Sequence, residues 1–129
     1  MTSREPGVVE TSKLVKVRFP IFDRAYISAA GGFATAMTSS PVRAAGNRVE
    51  MAARVWNIVG TLTLQLEGSR DDGRTWQTLA SLSLSSFGYS DVVQSSLDYP
   101  EVRVSASIGG FGGQTRAALF DVVLAFSQQ

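Results

Sequence analysis

The chain has 129 residues, sets 12 basic against 11 acidic side chains for a net charge of +1, and contains neither histidine nor cysteine. Without cysteine there are no disulfides, thiolate metal sites or cysteine nucleophiles; without histidine there is no Ser-His-Asp arrangement, no histidine general base and no usual zinc or iron ligand set. The two charge signs are interspersed, so no basic tract offers the phosphate neutralisation that nucleic-acid binding rests on, and no apolar run approaches a membrane span.

In chain order, residues 1–7 have no apolar stretch fit to be a signal sequence, which predicts synthesis and folding in a host cytoplasm whatever particle the protein later joins. Residues 1–12, with Pro6 and Gly7, read as a flexible N-terminal arm, and residues 13–129 as one β-domain. Val8 and Val9 in the arm, and Leu14 just beyond it, offer apolar surface for a partner contact that would order the arm. Residues 13–19 predict a strand with Lys13, Lys16 and Arg18 on a solvated face, stopped by Pro20, and residues 25–28 a second, short strand. Residues 28–41 are small and polar and read as a long loop or contact segment, in which Phe33 and Met37 are the anchoring residues.

Strands then follow at short spacing: residues 48–56, 61–67, 75–84, 88–93, 101–108 and 116–126. Residues 61–67 alternate polar and apolar with period two, and residues 101–108 do so most cleanly, turning Val102, Val104, Ala106 and Ile108 inward. Residues 117–126 are apolar on both faces apart from Asp121; that pattern fits a buried helix as well as a strand, and Val122-Val123 in an all-β context favour the strand. Gly109-Gly110-Phe111-Gly112-Gly113 reads as a hairpin tip presenting Phe111 to a partner, since a phosphate loop needs a helix directly after it and a lysine. The carboxylates of Asp71, Asp72, Asp91, Asp98 and Glu101 lack the spacing of a calcium loop and read as solvated surface.

The most specific stretch is Ser69-Arg70-Asp71-Asp72-Gly73-Arg74-Thr75-Trp76. Ser69 and Asp71 have short side chains that accept hydrogen bonds from backbone N–H groups in a reversing chain. Gly73 supplies a positive φ, Thr75 suits the start of the returning strand, and Trp76 can fold its indole beneath the loop. The pattern Ser-x-Asp-x-Gly-x-Thr-Trp resembles the Asp-box of sialidase-type propellers, where it is a structural turn away from the catalytic centre. A propeller needs at least about four blades of roughly 40 to 50 residues, so the resemblance implies turn geometry and no activity.

Together these segments predict an all-β protein: an antiparallel β-sandwich of about eight strands, with jelly-roll connectivity as one option and Trp56 and Trp76 filling its core. The order of strand 49–56, the Asp-Gly-x-x-Trp hairpin and the Pro100-Glu101-Val102-Arg103-Val104 strand is similar to that of small β-sandwich structural proteins of tailed bacteriophages, over about residues 42–126. That resemblance implies a non-enzymatic virion structural protein, most concretely a capsid decoration or cement protein that binds the major capsid protein or other virion proteins, without cofactor or metal. Apolar residues on both faces of 117–126 predict a homo-oligomer, with a trimer as the expectation. The alternative is a carbohydrate-binding or adhesive module, and an enzyme would have to use Tyr26, Tyr89 or Tyr99 beside a carboxylate.

Overall fold

The computed structural model describes residues 16–29, 36–109 and 116–128; Val8, Val9, Leu14, Phe33 and Phe111 lie outside the described residues, as does the arm 1–12. Where side chains alternate, the strand must lay one face on a core and the other in water. The described residues form nine strands on this rule: β1 (Val17–Ala29), β2 (Ala36–Thr38), β3 (Val42–Arg43), β4 (Arg48–Val59), β5 (Thr61–Ser69), β6 (Gln77–Leu84), β7 (Gly88–Gln94), β8 (Glu101–Gly109) and β9 (Arg116–Ser127).

They make two antiparallel sheets, one in the order β1-β9-β4-β7 and the other β2-β8-β5-β6, with β3 also on β8. The pairs β1 with β9, β2 and β3 with β8, β4 with β7 and β5 with β6 are nested, as though the chain were one long hairpin folded over on itself. Two further seams, β4 with β9 and β5 with β8, close the roll. This is the jelly-roll solution to the edge problem, two packed sheets sharing one core.

The inner faces supply Val49, Met51 and Val55 from β4, Leu62, Leu64 and Leu66 from β5, Val102, Val104 and Ile108 from β8, and Phe120, Val122, Leu124 and Phe126 from β9. Phe19 and Phe22 of β1 add edge-to-face contacts with Phe126 and Phe120, at centroid separations of 5.7 and 5.5 Å. Residues 117–126 are therefore a strand, and a central one. Its second face, with Ala117, Leu119 and Val123, is half-buried on the outer side of the sheet.

Four expectations are corrected. Pro20 does not stop a strand: β1 runs through it to Ala29, because β1 is a sheet edge and its register slips after Pro20, where a missing N–H costs little. Residues 28–41 are not all loop, since Ala36, Met37 and Thr38 pair with Ser107, Ala106 and Ser105, and Met37 is half-buried against the core. The strand predicted from Thr75 begins at Gln77, Thr75 being held in the turn. Neither tryptophan fills the core. Trp56 is 42% exposed, and Trp76 is half-buried with its ring 4.1 Å from the Arg103 guanidinium; the largest fully buried side chains are Phe120 and Phe126.

Candidate functional site

Two features stand out, a rigid turn and an exposed aromatic face. In the turn, Ser69 Oγ accepts the N–H of Gly73 (2.9 Å) and of Asp71 (3.3 Å) while donating to Asp71 Oδ1 (2.8 Å). Asp71 in turn accepts the N–H of Thr75 (2.9 Å) and its hydroxyl (2.6 Å). Asp72 and Gly73 carry the successive positive φ values, 59° and 83°, that reverse the chain, and Trp76 Nε1 donates to Gly73 O at 3.0 Å. The Thr75 hydroxyl first, then the Thr75 N–H and Ser69, pull the Asp71 carboxyl down to about 2. Every functional group of the motif is thus spent on the turn itself. Beside it, Arg70 stacks on Tyr99 at 4.1 Å and meets Asp98 at 3.1 Å, and Tyr99 Oη donates to Gln77 Oε1 at 3.0 Å, around a recess of about 170 Å³.

The second feature follows from register. Side chains paired across antiparallel strands share a face, so the outer face of the β1-β9-β4-β7 sheet is read off in rows: Arg18, Ala125, Glu50 and Val93; then Pro20, Val123, Ala52 and Asp91; then Asp121, Arg54 and Tyr89; then Tyr26, Leu119 and Asn57. Trp56 follows Glu50, Ala52 and Arg54 on the outward phase of β4, and the β4–β9 register shift between Val55 and Asn57 turns Asn57 outward beside it. The Trp56 Nε1 donates to Asp121 Oδ2 at 2.9 Å, and Asp121 Oδ1 accepts the N–H of Arg24, which sits at φ 51° in the irregular stretch of β1. The guanidinium carbons of Arg24 and Arg54 lie 4.9 and 5.1 Å from the indole centroid, both at cation–π range.

Around this cluster the exposed aromatics concentrate: Tyr26 at 63%, Phe87 at 79% and Tyr89 at 62%. Together with Trp56, Val17, Val59 and Val93, they are the exposed large hydrophobics among the described residues, and all belong to the β1-β9-β4-β7 sheet or the segment entering β7. The opposite sheet turns Thr63, Gln65, Ser81, Ser83, Ser105 and Ser107 outward instead. Arg54, Val55, Trp56, Phe87, Gly88 and Tyr89 line a recess of about 340 Å³, and Tyr26, Asn57, Val59 and Leu119 help line a second, of about 230 Å³.

The carboxylates of this face are engaged. A hydrogen bond between Glu50 and Asp91 holds Glu50 below the ordinary carboxylate range and lifts Asp91 above it, and Lys16 meets Glu50 at 3.3 Å. The Tyr89 hydroxyl is pushed up, by slight burial first and then by the charges of Glu50 and Asp91, the opposite direction from an activated phenolate. Among the described residues no three acidic, histidine or cysteine side chains come together to hold a metal ion.

Of the residues singled out from sequence, Ser69, Asp71, Gly73, Thr75 and Trp76 meet in one turn, while Met37 packs on the opposite sheet, away from the aromatic face. Arg24, Arg54, Asp121 and Tyr89 form a cluster that sequence reading missed. The available signal was Asp121, the lone charge in an apolar strand, together with a Trp on the phase opposite to Val49, Met51, Ala53 and Val55.

No protein-family model and no curated protein matches this chain. Among solved structures, the PBSX exported protein XepA is similar over 91% of this chain and 38% of its own, at 16% identity and a TM-score of 0.64. PirA is similar over 85% of this chain and 92% of its own, at 8% identity and a TM-score of 0.52. A structure of infectious bursal disease virus Gt strain aligns over 87% of this chain and 32% of its own, at 12% identity and a TM-score of 0.46. Identities this low are a likeness of fold, and the chain spans well under half of XepA.

Proposed function

We propose that this protein is a non-enzymatic structural component of a virion, most concretely a bacteriophage capsid decoration or cement protein, which attaches to capsid or other virion subunits by the outer face of the β1-β9-β4-β7 sheet. The observation that carries this reading is the segregation of exposed aromatics. Tyr26, Trp56, Phe87 and Tyr89 lie on one side of the sandwich and a Ser/Thr-rich sheet on the other, the division expected of a plate with one sticky side. Trp, Tyr and Arg, the types that concentrate there, are those that dominate binding energy at protein interfaces. The jelly-roll sandwich, a fold used by viral capsid proteins, and the likeness to a phage exported protein agree with it. The Ser69 to Trp76 hairpin, resembling an Asp-box, serves as a structural corner. Attachment through several copies lets weak single contacts suffice, and self-association into a trimer would supply that multiplicity.

The test is biochemical: particles made by the producing cell are banded on a density gradient and this protein is quantified in them. A fixed copy number relative to the major capsid protein supports the reading; its absence from intact particles removes it. The exposed rings of Tyr26 and Tyr89 also suit stacking on sugars, which favours a carbohydrate-binding or adhesive module as the second reading. Glycan-array binding lost on Tyr89→Ala would establish that alternative.

A further inference from the structure

We infer that the Trp56 cluster is a carboxylate-receiving site, and that its occupant is an acidic segment of a partner protein carrying apolar side chains next to its carboxylates. Arg18, Arg24 and Arg54 form no ion pair among the described residues, whereas the carboxylates that register places on the same face are all engaged: Glu50 with Lys16 and Asp91, and Asp121 with the Trp56 indole and the Arg24 N–H. Of the acidic groups close by, exposed Asp23 in the β1 bulge is without a partner among the described residues, one such carboxylate against three guanidiniums outside any ion pair.

Arg24 and Arg54 are also preorganised. A guanidinium lying on an indole has its flat face occupied and its N–H edges free, the geometry that accepts a carboxylate side-on. Asp121 performs the fixing. It holds the Trp56 ring through Nε1 and the β1 bulge through the Arg24 amide, so one carboxylate from β9 sets the platform and one of its two cations. The recess between Trp56, Phe87 and Tyr89 directly beside Arg54 gives the partner's apolar side chains a place to be covered. Exposed Phe87 favours a polypeptide over a purely polar ligand, since a phenyl ring gains most from apolar contact.

This inference deepens the structural-protein reading and rests on it only in taking the occupant to be protein. The probes are two short synthetic peptides, one alternating glutamate with leucine and the other with glutamine replacing every glutamate, titrated into the full-length ¹⁵N-labelled protein. The glutamate peptide is expected to shift the Trp56 indole N–H and the Arg24 and Arg54 Nε–H signals, to bind at least about tenfold more tightly than the glutamine peptide, and to weaken as salt rises. Arg24→Gln with Arg54→Gln should remove that preference with amide dispersion unchanged, both side chains being at the surface.

Equal binding of the two peptides, no binding of either, or shifts confined to the Arg70–Tyr99 recess would overturn the inference. So would tighter binding of polygalacturonate than of the glutamate peptide at the same arginines, which would make the ligand an acidic glycan, or self-association lost in the double variant, which would make it a second copy. Particles separate this inference from the functional reading. If the double variant loses the peptide but stays on particles at full copy number, the attachment face is wrong and the virion role stands. If the wild type binds the peptide yet never appears on particles, the virion role is wrong and the carboxylate site stands.

Discussion

Ser69 shows how much one hydroxyl can organise. Its residue is 1% exposed, and its oxygen serves two backbone N–H groups that otherwise have nowhere to go. Ser69→Ala should therefore cost about 1–3 kcal/mol, the penalty for leaving buried donors unpaired, read as a lowered urea midpoint with unchanged slope. Asp71 makes a pH prediction. Its carboxyl is depressed to about 2 from 3.8, so the stability it contributes is fully present above about pH 4 and is lost as pH falls through about 2. Acid titration of folding should show this loss in the wild type, and Asp71→Asn should be less stable at neutral pH with a flatter profile between those values. An identical acid profile in the variant would mean the carboxylate does not hold the turn.

At the scale of elements, the change of sheet between β4 and β5 takes a single residue. Gly60 has φ 105°, and a Cβ there would come within 2.4 Å of the Gly109 carbonyl oxygen, so neither the conformation nor the space admits a side chain. Gly60→Ala should cost at least about 1–3 kcal/mol, the range for a strained backbone position, measured by thermal or urea unfolding. Central β9 is the other sensitive element, because it joins β1 to β4 and also carries Phe120 and Phe126 into the core. Phe120→Ala should cost about 3–5 kcal/mol through lost burial and the cavity left behind. Substitution of exposed Phe87 by Ser should leave stability nearly unchanged, and a large loss would show that the ring is part of the fold.

For the whole molecule, nested pairing has a kinetic consequence. The first and last strands among the described residues are partners, so the sheet cannot close until segments about 90 or more positions apart have met, and loop-closure entropy is spent before the contacts that offset it form. Refolding followed by tryptophan fluorescence should therefore lie in the slow range for small domains, roughly milliseconds to seconds. A microsecond relaxation would mean that folding proceeds through local hairpins alone. Among the described residues the same topology leaves β1 and β7 as the edges of the sheet that bears the aromatic face, so the proposed docking would have both side chains and strand edges to use.

Much of this was legible in the chain. Period-two alternation locates β5 and β8 to within two residues, because a strand with one wet face must alternate, and the Ser-x-Asp-x-Gly-x-Thr-Trp spacing specifies a local turn whose donors and acceptors lie within a few residues of each other. The absence of histidine and cysteine is a property of composition that no fold can alter. What tertiary structure alone decided were the relations between distant residues. Trp56 looks like core because large and apolar means buried on average, yet it lies on the outward phase of a strand whose Val49, Met51, Ala53 and Val55 face in; what exists only once β4 and β9 are paired is the register shift that turns Asn57 out beside it. Pro20 reads as a stop unless β1 is known to be an edge, and the meeting of Arg24, Arg54 and Asp121 around one indole spans 97 positions between Arg24 and Asp121. Local spacing carries no information about such encounters, since which side chains share a face across strands is settled by sheet order, and sheet order by the packing of the whole roll.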